Sequence, residues 1–124
     1  MRAMVVDDSR AMRTIVHRIL VDCGYDDVVE AADGQEALAL LQSGDLPALA
    51  LVDWNMPVMT GFEFVVAARS QSEFDAMEIV MITTETSVER ITDALGAGAN
   101  EYVMKPFTKQ VLLEKLEALQ AARG

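Results

Sequence analysis

Residues that can do chemistry stand at the ends of several apolar runs in this chain. "AMVVD" carries Asp7 and is followed by Asp8, "LALVD" ends at Asp53, "EIVMI" is followed by Thr83, and "EYVM" is followed by Lys105. A carboxylate next to a buried run must be paired, hydrated or metal-bound, because burying it bare is prohibitively costly. These residue types together are those of a phosphoryl-transfer pocket with a divalent cation.

Alternating strands and helices are predicted to position these side chains. Short apolar runs rich in β-branched residues predict strands at 3–7, 27–31, 49–53, 78–82 and 101–104. Helical periodicity predicts helices from the N-cap Ser9 to Gly24, from Asp33 to Gly44, and over 61–70, 87–97 and 108 onward. In the second helix, Asp33 and Glu36 have the spacing of a capping box. On the first helix the apolar face is predicted to contain Met12, Ile15, Val16, Ile19, Leu20 and Cys23.

Five strand–helix units predict one doubly wound α/β domain over 1–124, with a five-stranded parallel sheet and helices on both faces. In such sheets ligands bind beyond the carboxyl ends of the strands, where the strand order reverses. The polar residues at the strand ends are therefore expected to meet at one edge. Trp54 is expected to be a partly exposed aromatic residue near that site.

The expected cluster has an unbalanced charge. Three carboxylates and the single ammonium of Lys105 sum to −2, which a divalent cation neutralises. Mg²⁺ prefers hard oxygen ligands. We predict Asp8 and Asp53 as direct ligands with the backbone carbonyl of Asn55, and Asp7 as a ligand through water.

One of the carboxylates can act as a nucleophile, and Asp53 is the best placed. It would accept a phosphoryl group as an acyl phosphate while Mg²⁺, Lys105 and the hydroxyl of Thr83 hold the phosphoryl oxygens. The predicted catalytic residues are therefore Asp53, Lys105 and Thr83, with Mg²⁺ as the cofactor.

Composition limits the partners. A formal net charge of −10 argues against binding to nucleic acid or to an anionic membrane. No apolar stretch approaches the ~18 residues of a membrane span. The single cysteine, Cys23, cannot form an internal disulfide, which fits a reducing cytoplasm. We expect a cytoplasmic monomer that acts through protein contacts.

Four motifs in this order resemble those of a known family: "VVDDS" (5–9), "LVDWNMPVMTG" (51–61), "MITTE" (81–85) and "EYVMKPF" (101–107). They are similar to the receiver domain of bacterial response regulators, and in particular to its stand-alone chemotaxis members of the CheY type. The resemblance covers essentially the whole chain. It implies a flavodoxin-like, CheY-like (βα)5 fold and a response regulator of a two-component system.

The resemblance also implies roles for individual residues. It implies that Asp53 receives a phosphoryl group from a sensor histidine kinase or from acetyl phosphate, and that Lys105–Pro106 is a cis peptide. Thr83 and Tyr102 match the switch pair of the family, in which the hydroxyl turns toward the phosphoryl group and the ring moves inward. The face formed by the fourth helix, fifth strand and fifth helix then changes its protein partner.

Two further matches concern the lifetime of the phosphoryl group. Asn55 and Glu85 stand where the family tunes dephosphorylation, and both residue types match the chemotaxis regulators. The chain is therefore not expected to be an enzyme beyond self-catalysed phosphoryl transfer and autodephosphorylation. By resemblance the target is a flagellar motor switch protein. The alternative is a phosphorelay or cell-cycle receiver that exchanges phosphoryl groups with a phosphotransfer protein.

Other classes of function remain open on the residues alone. A haloacid-dehalogenase-like phosphatase also uses a strand-end aspartate with Mg²⁺, although Asn55 stands where such enzymes place a second acid. A flavodoxin-like flavin binder shares the fold, although Asp7 and Asp8 would repel its phosphate. An unphosphorylated receiver serving as a scaffold is a further alternative. Individually, Asp7 and Asp8 also suit a helix start, and Tyr102 suits simple packing.

Overall fold

Strands and helices alternate along the chain in the computed structural model, which describes residues 1–44, 46–84 and 86–123. The strands are β1 (Arg2–Val6), β2 (Asp27–Ala31), β3 (Leu49–Asp53), β4 (Glu78–Thr83) and β5 (Glu101–Met104). The helices are α1 (Arg10–Asp22), α2 (Gly34–Gln42), α3 (Gly61–Arg69), α4 (Val88–Ala97) and α5 (Lys109–Arg123), with a short 3-10 turn at Ser72–Phe74. The predicted alternation is confirmed. β1 begins and ends one residue earlier than predicted, and β4 is one residue longer.

The described strands form one parallel sheet in the order β2-β1-β3-β4-β5. From β1 the chain first adds β2 on one side and then β3 on the other, so the order reverses between β1 and β3. This confirms the doubly wound fold and locates its switch point, where ligands bind in such sheets. Asp7 directly follows β1 and Asp53 ends β3, so the switch point itself carries the carboxylates.

Side chains of the central strands alternate between two cores, one on each face of the sheet. Along β3, Leu49 and Leu51 join the core beneath α1 and α5, whereas Ala50 and Val52 join the core beneath α2, α3 and α4. All five residues of β3 are buried. A strand buried on both faces reads as a continuous apolar run, which is why the pattern alone predicted these strands.

The helix starts follow local capping. Ser9 accepts a hydrogen bond from the amide of Met12, and Asp33 accepts one from the amide of Glu36. The reciprocal bonds of a full capping box are formed at α3, where Thr60 and Glu63 each bond to the other's backbone amide. This cap of α3 was not among the predicted ones.

Two apolar residues differ from the prediction in how much of their side chains is exposed. Ile15, expected on the buried face of α1, is 53% exposed, and Trp54, expected to be partly exposed, is only 9% exposed. Trp54 is covered because its ring stacks on Phe62 at a centroid distance of 5.7 Å.

Within the described part of the chain, none of the helices combines the length and the apolar character that crossing a membrane requires.

Candidate functional site

Neighbouring strands bring three predicted carboxylates to one point at the carboxyl edge of the sheet. Oxygens of Asp7, Asp8 and Asp53 all lie within 4.8 Å of one another. Asp7 and Asp53 are buried, at 3% and 6% exposure, whereas Asp8 is exposed. The cluster is therefore a half-enclosed acidic pocket with one carboxylate on its solvent side.

Lys105 reaches this cluster from the loop after β5. Its Nζ lies 3.1 Å from Oδ1 of Asp53 and 3.4 Å from Oδ2 of Asp7, and its side chain is 19% exposed. The Lys105–Pro106 peptide bond is cis, as the resemblance implied. One ammonium thus bridges two buried carboxylates and leaves a local excess of negative charge.

The surroundings of Asp53 disfavour the ionised form of its carboxyl group. Its burial, and next the negative charge of Asp7, raise the pKa of Asp53 above its ordinary value, while Lys105 opposes that rise. The ionised carboxylate is consequently less stable here than in water. A cation that neutralises the pocket would relieve this cost, and an all-oxygen, mostly carboxylate donor set suits Mg²⁺.

Asp7 is fixed by contacts other than those of Lys105. Its Oδ1 accepts a hydrogen bond of 2.8 Å from the amide of Ser9, and its carbonyl accepts one of 2.7 Å from Nη1 of Arg13. Both carboxylate oxygens of Asp7 therefore have protein partners, which fits the predicted indirect role through water. Arg13 was not predicted as a site residue, because a surface helix arginine has no local feature that shows this contact.

The backbone after Asp53 is held in a closed loop. The amide of Trp54 donates to Ile82, and the amide of Gly61 donates to the Trp54 carbonyl at 2.9 Å. A Cβ on Gly61 would overlap the carbonyl oxygen of Asp53, so this close approach requires glycine. Asn55, whose carbonyl is the third predicted ligand, lies exposed in this loop.

The two predicted switch residues lie on neighbouring strands at different depths. Thr83 is 1% exposed at the end of β4, and its carbonyl accepts a 2.7 Å hydrogen bond from the amide of Lys105. Tyr102 is half-buried on β5, paired with Met81 of β4. Thr83 thus lies beside Lys105, whereas Tyr102 lies two residues before Met104, the residue of β5 that pairs with Thr83. Glu85 lies outside the described residues.

An apolar hollow of about 280 Å³ opens beside Lys105. It is lined by Met12, Ile15, Thr84, Pro106 and Phe107 together with Lys105 itself. The exposed Ile15 belongs to this hollow, which explains why the helical pattern misplaced it. Periodicity identifies an apolar face but does not show whether another element covers all of it.

The fold and the site together define a doubly wound α/β domain with a strand-end aspartate in an acidic, lysine-bridged pocket. The family model of the response regulator receiver domain matches residues 3–117. The chain belongs to the response regulator receiver domain family.

Individual relatives support the chemotaxis branch of this family. The chain is 46% identical over 117 residues to a chemotaxis protein CheY homolog of Campylobacter jejuni, covering 94% of this chain and 90% of the relative. It is 46% identical over 119 residues to chemotaxis protein CheY1 of Helicobacter pylori, covering 96% of each. The solved structure of the chemotaxis response regulator CheY4 of Vibrio cholerae is 44% identical, with a TM-score of 0.86 over 94% of this chain and 96% of that one. The expected resemblance to CheY-type regulators is therefore confirmed.

Proposed function

We propose that this protein is a stand-alone, cytoplasmic response regulator of a two-component system, in which Asp53 is phosphorylated by a sensor histidine kinase. The observation that carries the proposal is the position of Asp53, buried at a strand end among Asp7, Asp8 and Lys105. The similarity to chemotaxis proteins makes flagellar motor control the favoured output.

The proposed reaction is a transfer between two side chains. An oxygen of the Asp53 carboxylate forms a bond to phosphorus as the N–P bond of the kinase phosphohistidine breaks, and the electron pair of that bond returns to the imidazole. Hydrolysis reverses the state, because water attacks phosphorus and the Asp53 carboxylate leaves with inorganic phosphate as the second product. Lys105, whose Nζ lies 3.1 Å from Asp53, would hold a phosphoryl oxygen.

The carboxylates of Asp8 and Asp53 with the Asn55 carbonyl would hold Mg²⁺, and Asp7 would act through water. When bound, Mg²⁺ supplies positive charge against the carboxylates and the incoming phosphoryl oxygens. This positive charge would stabilise the ionised form of Asp53, which burial disfavours. Asn55, together with Glu85, is proposed to tune the lifetime of the acyl phosphate.

The output surface is proposed to be the face formed by α4, β5 and α5. Thr83 would turn its hydroxyl toward the phosphoryl group, and the ring of Tyr102 would follow it inward. Val88 and Leu95 of α4 and Val111 of α5 are 77%, 40% and 43% exposed, so the helices of the proposed output surface carry exposed apolar side chains. A flagellar motor switch protein is the favoured partner, and a phosphotransfer protein is the alternative.

Incubation with acetyl phosphate and Mg²⁺ followed by intact-mass measurement tests the proposal. We expect a labile adduct of one phosphoryl group on the wild type, and none on Asp53→Asn. Asp33→Asn is the matched control, since it makes the same chemical change at the cap of α2 and should keep the adduct. An unchanged adduct on Asp53→Asn would contradict the assignment. Multiple turnover on a phosphate ester would favour the phosphatase interpretation instead.

We propose that the donor protein would contact the apolar hollow beside Lys105 as it approaches Asp53. Ile15→Glu should therefore slow phosphorylation by a histidine kinase while leaving phosphorylation by acetyl phosphate unchanged. Equal slowing with both donors would show that the substitution disturbs the pocket itself rather than the approach of the kinase.

A further inference from the structure

The ammonium of Lys115 lies directly against the predicted switch aromatic. Its Nζ is 4.9 Å from the ring centroid of Tyr102 and donates a 2.9 Å hydrogen bond to the Tyr102 carbonyl. It is also 3.2 Å from Oε1 of Glu101, which in turn accepts a hydrogen bond from the Tyr102 amide. Lys115 therefore contacts the backbone and the ring of the same tyrosine.

These contacts differ in how they respond to motion of the ring. The Tyr102 carbonyl belongs to the backbone of β5, and the Glu101 carboxylate belongs to another side chain, so neither anchor is part of the ring that rotates. The cation–π contact depends on where the ring is. A lysine anchored in this way favours the observed position of the ring over any position further away.

We propose that Lys115 is a positioning residue that holds the ring of Tyr102 in its unphosphorylated position and thereby sets how readily Asp53 is phosphorylated. This inference rests on the proposed function, because it assumes that the ring moves when Asp53 carries a phosphoryl group. The position of the Tyr102 ring and the phosphorylation of Asp53 are then coupled. A contact that the ring makes only in its unphosphorylated position therefore opposes phosphorylation. Lys115 is 33% exposed, and a cation–π contact at such a site corresponds to a factor of about two to five in the population of the two states.

The test compares Lys115→Ala with Lys109→Ala by the initial rate of adduct formation at limiting acetyl phosphate with saturating Mg²⁺. Both substitutions remove one ammonium from α5 and one ion pair, since Lys109 pairs with Asp22 at 2.6 Å. We expect Lys115→Ala to react about two- to fivefold faster than Lys109→Ala. Lys115→Arg should restore the slower rate, because a guanidinium also binds an aromatic face.

A double-mutant cycle identifies the ring as the mediator. In a Tyr102→Leu background, replacing Lys115 with alanine should no longer change the rate, because there is no aromatic face to lose. NMR provides a direct readout: the ε-methylene protons of Lys115 should lose their ring-current shift when the protein is phosphorylated.

Equal rates for Lys115→Ala and Lys109→Ala, or a slower Lys115→Ala, would overturn the inference, as would an unchanged effect in the Tyr102→Leu background. These outcomes are distinct from failure of the proposed function, which would appear as a wild type that forms no adduct at all.

Discussion

Replacing Asp53 with asparagine should make the protein more stable at neutral pH in the absence of divalent cations. Asparagine keeps the shape of the side chain and a carbonyl oxygen facing Lys105, but it removes the charge. Most substitutions at buried positions destabilise a protein. A gain would therefore show that the native fold stores unfavourable electrostatic energy at this position.

The magnitude follows from the distances. At an effective dielectric constant of about 20, buried Asp7 within 4.8 Å repels Asp53 by about 3.5 kcal/mol, whereas Lys105 at 3.1 Å attracts it by about 5 kcal/mol. Asp8 is exposed, so its repulsion is screened by solvent and is smaller. The contributions of the neighbouring charges therefore largely cancel, and burial, the first cause of the raised pKa of Asp53, leaves a net cost of about 1–3 kcal/mol. We expect Asp53→Asn to raise the free energy of unfolding by about 1–3 kcal/mol.

Urea unfolding of the wild type and Asp53→Asn, both in EDTA, measures this difference. Asp33→Asn is the control, because asparagine caps a helix about as well as aspartate and should leave the free energy of unfolding nearly unchanged. Both variants change the net charge equally, so a general charge effect would appear in both.

The pH dependence has a defined sign. Because the pKa of Asp53 is raised in the native state, native Asp53 binds its proton at a higher pH than the unfolded chain. The stability that this proton contributes is complete below the ordinary value of 3.8 and is lost as pH rises through the native pKa. The advantage of Asp53→Asn should therefore be largest at neutral pH and shrink on acidification. An equal or lower stability of Asp53→Asn at pH 7, or an advantage that grows toward low pH, would refute the reasoning.

Three further predictions concern residues around the site and the fold. Gly61→Ala should lower the free energy of unfolding by about 1–3 kcal/mol in a urea titration, because the added Cβ overlaps the Asp53 carbonyl. Gly96→Ala, which has open space around its Cβ, should raise the free energy of unfolding by about 0.5–1 kcal/mol in the same titration. Similar effects of the two substitutions would contradict the close contact at Gly61. Arg69→Leu should lower the free energy of unfolding by about 2–4 kcal/mol, because the guanidinium donates to the backbone carbonyls of Phe74, Met77 and Gly98 and to the side-chain oxygen of Asn100. An almost unchanged melting temperature would exclude this role. Lys105→Ala should leave the Mg²⁺ affinity measured by calorimetry largely intact. In a pull-down, the phosphoryl adduct of this variant should no longer alter partner binding. A collapse of the Mg²⁺ affinity would show that the roles of Lys105 and the carboxylates are misassigned.

The positions of the main chemical groups could be predicted because local patterns determine them. Continuous apolar runs indicated the strands, and the carboxyl ends of parallel strands meet at one edge, so Asp7, Asp8, Asp53 and Lys105 were expected together. The structure brings these four side chains together as predicted.

Features that depend on distant contacts could not be predicted in this way. Ile15 fits the apolar stripe of α1, yet it is 53% exposed, and Trp54 is buried by a ring eight residues further along the chain. Arg69 and Lys115 are long, flexible side chains whose partners lie far away in sequence or on another element. Periodicity carries no information about such contacts.

The clustered carboxylates at the switch point should bind a divalent cation whose charge offsets their mutual repulsion. Isothermal titration of the wild type and Asp8→Asn with Mg²⁺, alongside the control Asp33→Asn, tests it most directly. We predict one Mg²⁺ bound in the millimolar range or tighter by the wild type and the control, and binding lost or strongly weakened in Asp8→Asn. Absence of Mg²⁺ uptake by the folded wild type, or equal binding by Asp8→Asn, would contradict it.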